Sequence, residues 1–306
     1  IEPNVAVAAV PDVNLETIHR FIETDKVIPA SVKIVDIAGL IAGASKGEGL
    51  GNKFLSNIRE TDAIMHVVRC FGGSKVVREE PVDPIKDIEV IELELALADL
   101  DTVDRAFERA KAMLENGDLL RAHGWTEREA ELLKPRCLMT TKRMLYVANV
   151  SDDDLDGGSE YARAVAKRAA ATGSEWIAIC GDIESELRNM EADERDAFME
   201  DLGIEKLGLD RLIQATYTLL GLQTYYTAGE KEIRAWTTSA GSKAPEAAGV
   251  IHTDFEKAFI RAEVYSVPDL VEHESETAIR AAGKLRTEGR DYVMREGDVC
   301  HFLIGK

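Results

Sequence analysis

An aspartate at the end of a β-branched run, followed closely by five glycines, is the strongest chemical signal in this chain. Residues 31–57 read SVKIVDIAGLIAGASKGEGLGNKFLSN. Val32, Ile34 and Val35 give the pattern of a short buried strand, and Asp36 falls where that strand ends. Gly39, Gly43, Gly47, Gly49 and Gly51 then make the backbone permissive. A carboxylate so placed suits a magnesium ion, and a glycine-rich backbone just after it suits the sensing of a terminal phosphate. The stretch reads as a nucleotide switch.

The surrounding pattern supplies elements to hold such a site. Residues 4–10 and 31–36 read as neighbouring strands, 52–60 as a helix entry, and 63–70, AIMHVVRC, as a further buried strand with His66 as a core histidine. From Asp87 the period turns helical through Ile88, Ile91, Leu95, Val103 and Phe107, and a second helix is expected over 126–133, before Pro135. Strand patterning resumes at 143–149, RMLYVAN, and runs into Asn149-Val150-Ser151-Asp152. The next strand, 175–180, EWIAIC, leads into a loop at Gly181-Asp182-Ile183-Glu184, and a helix over 211–220 stops at Gly221. Beyond it, 232–237, 259–265 and 299–304 are strand-like, with Gly297-Asp298 as a turn.

Several of these segments carry a resemblance. IEPN at 1–4, DIAGL at 36–40 with the following GASKGEGLGNKFL, IRETDA at 58–63, the Asn149 region, HTDFEKAFIRAEV at 252–264 and RDYVMREGDVCHF at 290–302 are similar to the YchF/Obg-like ATPase family, across almost the whole chain. The resemblance implies an α/β fold: a P-loop, G-protein-like nucleotide-binding domain over 1–86 and 140–220, a helical coiled-coil arm inserted at 87–139, and a β-grasp (TGS) domain at 221–306. No G-x-x-x-x-G-K-[ST] phosphate loop occurs in the 306 residues. The resemblance places that loop, and the switch threonine after it, just upstream of Ile1.

The same resemblance assigns roles. Asp36 would hold Mg2+ through water, and Gly39 would lie against the phosphates. Asn149, Val150 and Asp152 stand where a guanine-specific relative carries N-K-x-D, and Cys180, Gly181 and Asp182 form the segment that closes over the base. Val150 replaces the lysine, which favours ATP. Asp152 replaces the family's usual glutamate and is able to accept from guanine, so GTP stays open. Leu40 occupies the position of the water-orienting glutamine, and an alkyl group neither donates to water nor accepts from it. The histidine proposed in the family for this task is absent from residues 72–84. Slow hydrolysis is expected, with the catalytic group unassigned.

Composition bounds the remainder. The formal charge of −19 argues against general nucleic-acid binding. Lys243, Lys257, Arg261, Arg280, Lys284, Arg286 and Arg290 are interleaved with acids and read first as mixed-charge surface. The resemblance nevertheless implies ribosome or ribosomal RNA contact through the TGS and helical domains. No apolar run approaches the length of a bilayer span, and the four cysteines show no metal or disulfide spacing, so a cytoplasmic protein without membrane contact is expected. Two functions follow: a ribosome-associated, ATP-hydrolysing switch, or a non-hydrolysing interaction scaffold if the phosphate loop is absent.

Overall fold

The computed structural model describes residues 4–37, 50–72, 81–100, 102–103 and 108–305. The strands are β1 (Asn4–Ala9), β2 (Val27–Ile28), β3 (Ser31–Asp36), β4 (Ala63–Arg69), β5 (Arg143–Asn149), β6 (Glu175–Ile179), β7 (Leu222–Ala228), β8 (Ile233–Ser239), β9 (Phe259–Ser266), β10 (Arg286–Glu288) and β11 (Asp298–Ile304). The first seven helices are α1 (Val13–Phe21), α2 (Leu50–Arg59), α3 (Pro84–Leu100), α4 (Glu108–Glu115), α5 (Glu127–Leu133), α6 (Glu160–Ala171) and α7 (Gly181–Arg188). They are followed by α8 (Ala192–Asp201), α9 (Gly208–Leu219), α10 (Ala244–Ile251), α11 (Thr253–Ala258), α12 (Val267–His273) and α13 (Glu276–Ala281). Two compact units result: residues 1–5 with 35–212, and residues 6–34 with 213–306.

The first unit is built on the parallel sheet β4-β5-β6. Parallel strands need both faces covered, and β5 meets that requirement, with every residue from Met144 to Ala148 buried. Strand β4 departs from the expected buried strand. Only Val68 within it is buried, and Val67 is 64% exposed. Ile88 and Leu95 of α3, Val165 and Ala169 of α6, and Leu55 and Ile58 of α2 pack with Tyr146 and Ala148 into the main core.

The segment between β4 and β5 is largely helical. α3 lays Ile88 and Leu95 on the sheet core, then carries Ala96 into a second small core with Ala110 and Leu114 of α4, Leu133 of α5, Leu120 and Leu138. Thr126 caps α5 reciprocally with Glu129, so this helix begins where the sequence places it. Near the end of α3, the buried Asp99 accepts from the Met139 and Thr140 amides at 2.8 and 2.7 Å and from the Thr140 hydroxyl at 2.6 Å. Burial pushes the Asp99 carboxyl up, and these donors pull it back. The contact anchors α3 to the turn that feeds β5.

Two turns earlier, Glu92 is 3% exposed and takes two guanidiniums. Arg121 reaches its Oε1 at 2.9 Å, Arg168 of α6 binds Oε2, and the Tyr146 hydroxyl of β5 donates to Oε1. His66 stands opposite Tyr146 in the strand register, with ring centroids 5.9 Å apart. Burial lowers the His66 pKa to about 4 from an ordinary 6.5, with Glu92 opposing and Arg121 reinforcing the shift.

The second unit carries a six-stranded sheet in the order β10-β9-β11-β7-β8-β2. Successive side chains alternate between its faces. Tyr226, Ile233, Ala235, Tyr265 and Val299 pack with α1, α9, α12 and α13, whereas Tyr225, Phe259, Ala262, Val264 and Cys300 pack with α10. Asp12 caps α1 through the Asn14 and Leu15 amides and also accepts from the Tyr226 hydroxyl with both carboxylate oxygens, at 2.8 and 2.9 Å. β2 adds in parallel to β8. The strands expected at 232–237, 259–265 and 299–304 are β8, β9 and β11, and Gly297 turns with φ +84°.

Two outcomes test these contacts. Glu92→Leu leaves the buried Arg121 and the half-buried Arg168 guanidiniums without their carboxylate and is expected to cost about 3 kcal/mol in urea unfolding; a loss below about 1 kcal/mol would contradict the role given to Glu92. For His66, the unfolded chain binds the proton between pH 6.5 and about 4 while the folded chain does not. Stability therefore falls as pH drops through that window, by up to about 3 kcal/mol. His66→Phe should flatten this part of the stability profile, and an unchanged slope would assign it to other groups.

Candidate functional site at the strand ends

β4, β5 and β6 finish on one rung, Arg69 beside Asn149 beside Ile179. The carboxyl edge of an open parallel sheet is where such folds hold ligands, because loops rather than packed helices cover it. Asn149 is fixed there from both sides. Its carbonyl accepts from the Cys70 amide at 2.8 Å, and its Oδ1 accepts from the Gly181 amide at 3.0 Å. With Oδ1 taken, Nδ2 is the side-chain group left to donate. The Val150 amide donates to Ile179 at 2.9 Å, which buries Val150 beneath the edge.

Asn149, Val150, Cys180 and Gly181 are therefore brought together. Cys180 is buried and caps α7, and Gly181 and Asp182 are exposed on that helix's first turn. The sequence reading expects a loop at 181–184, and the structure corrects this. Ile183 and Leu187, one turn apart, are both buried, and Asp182 and Glu184 place negative charge at the positive end of the helix. The Glu184 carboxylate is further fixed by the amides of Gly208 and Leu209 at the start of α9, at 2.7 and 3.0 Å.

Asp152 is exposed in the turn after β5. Two nearby residues escaped the sequence reading. The Asp154 carboxylate accepts from the Ser159 amide at 2.8 Å, at the entry to α6, and the Gly157 amide donates to the Asp154 carbonyl at 2.9 Å. Gly157 has φ +69°, and a Cβ on it would meet the Ala178 Cβ at 2.8 Å. The Asp156-Gly157 pair is itself a turn signal that marks the position. Together these residues shape the loop beside Asn149.

Asp36 is exposed at the end of β3, which pairs with β1 in a separate two-stranded sheet. No described contact joins it to Asn149. Among the described residues no group of three or more His, Cys, Asp or Glu is placed to hold a metal ion. Gly39, Leu40 and most of the loop at 72–84 lie outside the described residues. In the second unit the basic residues are largely engaged. Arg280 pairs with Glu263 and Lys243 with Asp291, both at 2.9 Å; Arg286 lies 3.4 Å from Asp298 and Lys284 3.7 Å from Asp269. Arg290 donates to the Phe259 carbonyl.

The glycine of the Asn149 loop gives a direct test. Gly157→Ala combines a left-handed backbone with a steric clash and should cost about 2 kcal/mol or more. Gly173→Ala, with φ +62° and nothing within 4 Å, should cost about 1 kcal/mol. Equal losses in urea unfolding would remove the close approach to Ala178 from the account.

Comparison with known proteins agrees with this architecture. Residues 2–103 match the family described as 50S ribosome-binding GTPase, and residues 222–305 match YchF-GTPase_C, described as a protein of unknown function (DUF933). The chain is 45% identical to the ribosome-binding ATPase YchF of Haemophilus influenzae over 99% of its length and 89% of the relative's. The Bacillus subtilis protein of the same name is 44% identical with the same coverage. The solved Schizosaccharomyces pombe YchF GTPase superposes with a TM-score of 0.87 at 36% identity, covering 99% of this chain and 88% of that one. With near-complete coverage at these identities, and with the parallel strand ends and the C-terminal sheet in place, the chain belongs to the YchF family.

Proposed function

We propose that this protein is a ribosome-associated switch that binds and hydrolyses ATP. The observation that carries the reading is the Asn149 clamp, an amide held at the carboxyl end of β5 by the first amide of α7, above a buried Val150. In this reading Nδ2 donates to N7 of the purine, an acceptor that adenine and guanine share. Choice between the bases then falls to the neighbouring loop, where the exposed Asp152 is the group able to accept from guanine. Val150 in place of a lysine removes one guanine determinant, and the relatives named as ATPases support adenine.

Magnesium belongs to the proposal as well. A single exposed carboxylate at Asp36 suits a contact through water better than direct ligation. Bound there, the ion would neutralise charge on the phosphates. Leu40 supplies no group to orient water, so turnover is slow. No G-x-x-x-x-G-K-[ST] lies within the 306 residues, and a cradle for the phosphates has to come from outside them. The nucleotide portion lies in the unit of residues 35–86 and 140–212, residues 6–34 packing instead with the C-terminal sheet, while the helical insertion at 87–139 and the TGS module at 221–306 carry the nucleotide state to the ribosome in the cytoplasm.

The test is nucleotide competition and turnover on the protein with any sequence its gene encodes ahead of Ile1. Magnesium-dependent ATP hydrolysis is expected, with GTP a weaker competitor. Asn149→Ala should weaken both nucleotides about tenfold, since N7 is common to them, and Asp152→Ala should weaken GTP alone. Ribosome cosedimentation without nucleotide binding or hydrolysis would replace the switch by a scaffold.

A further inference from the structure

In the first unit, the contacts that seat the helical insertion and the asparagine of the candidate site lie at opposite edges of one parallel sheet. Asp99, near the end of α3, receives the Met139 and Thr140 amides at the amino edge, just ahead of β5. Asn149 closes β5 at the other edge, about 20 Å further on at the usual rise of a strand. The small core of the insertion, with Ala110 and Leu114 of α4 and Leu133 of α5, rests on the last turns of α3 through Ala96. α2 follows the glycine-rich segment directly in sequence, and it reaches the same amino edge at its last residue, Arg59.

Two kinds of contact hold α2 there. Lys142, immediately before β5, donates to the Arg59 carbonyl at 3.2 Å and to the Thr61 carbonyl, which ties the helix terminus to the strand. The Arg59 guanidinium reaches α3 instead: its Nη2 donates to the Ala98 carbonyl at 2.8 Å, and its Nη1 lies 3.8 Å from Asp99 Oδ1. This second contact is separable from its surroundings. Asp99 already accepts three hydrogen bonds from Met139 and Thr140, and the Ala98 carbonyl also accepts from the Thr102 hydroxyl at 3.2 Å. The Arg59 side chain is 28% exposed, so its guanidinium can pass to water without leaving a buried hydrogen-bonding group unpaired. Glu92 and Arg121 have no such freedom, because both are buried.

We propose that Arg59 is the positioning residue through which the nucleotide state reaches the helical insertion, given that the protein binds ATP as set out under the proposed function. Nucleotide and magnesium act on the segment ahead of α2, and α2 pivots about the end that Lys142 holds. The pivot brings the Arg59 guanidinium on to the end of α3 or releases it to water. Ala98 and Asp99 adjoin the core of α4 and α5, so the insertion is braced in one state and freer in the other. A ligand shifts such an equilibrium only through a contact that differs between the two states. One charge-assisted hydrogen bond made in a single state gives coupling of about tenfold.

The test is hydrogen–deuterium exchange on the full protein, with any sequence its gene encodes ahead of Ile1, in Mg2+ with saturating ADP or the non-hydrolysable analogue AMP-PNP. Amides of α4 and α5, within 108–133, are expected to exchange about tenfold differently with the two nucleotides. In Arg59→Met, which keeps the aliphatic stem and is checked for folding by thermal unfolding, the difference should fall below about twofold while both nucleotides still bind. Thr102→Val removes the other donor to the Ala98 carbonyl and should retain the difference. Its loss in both variants would make the effect one of local packing and overturn the proposal. A difference that persists in Arg59→Met, or none in the parent with both nucleotides bound, overturns the coupling and leaves the nucleotide reading standing. Failure of the parent to bind either nucleotide overturns both.

Discussion

One buried carboxylate holds the first unit together. Glu92 receives Arg121, Arg168 and Tyr146, and each partner comes from a different place in the chain: the turn after α4, helix α6 and strand β5. Burying an ion is costly, and a single carboxylate facing two guanidiniums repays the cost only when all its oxygens are used. Both are. Beside this cluster His66, whose Nδ1 is buried without a partner, is kept neutral by its burial, with Glu92 opposing and Arg121 reinforcing the effect. A third cation at that position would have no acceptor.

This arrangement reaches the candidate site through β5. Tyr146 is three residues from Asn149 on the same strand, and Asp99 grips the turn just ahead of that strand. β5 is thereby fixed at its beginning and middle by α3, leaving its carboxyl end to be positioned by neighbours alone. Those neighbours are the Cys70 amide, the Gly181 amide and the loop braced by Asp154 and Gly157. A rigid strand with a loop-defined end is what a ligand site at a sheet edge requires.

Some of this was legible in the sequence and some was not, for physical reasons. Asn149 could be read because it ends the apolar strand run from Met144 to Ala148 at the position where the family resemblance places a base-binding asparagine. The Thr126 cap could be read because its partner Glu129 sits three residues away. The helix at 181–188 was missed because a glycine followed by acids looks like a loop until Glu184 finds the amides of Gly208 and Leu209, more than twenty residues on. The packing of residues 6–34 with the C-terminal sheet had no local signature at all. It depends on Asp12 meeting Tyr226 and on β2 adding to β8, contacts separated by about two hundred residues and invisible to any periodicity. Asp36, the clearest motif of the sequence, is seen at its strand end, but four of the five glycines that gave it meaning, Gly39, Gly43, Gly47 and Gly49, lie outside the described residues, and Gly51 falls within α2.

The charge distribution constrains how a protein of this kind meets a ribosome. Counterion release drives most protein binding to nucleic acid, and it needs cations free to replace condensed ions. Arg280, Lys243, Arg286 and Lys284 are instead committed to acids within the same unit. Each phosphate contact they made would break an existing pair and leave a carboxylate beside the phosphate.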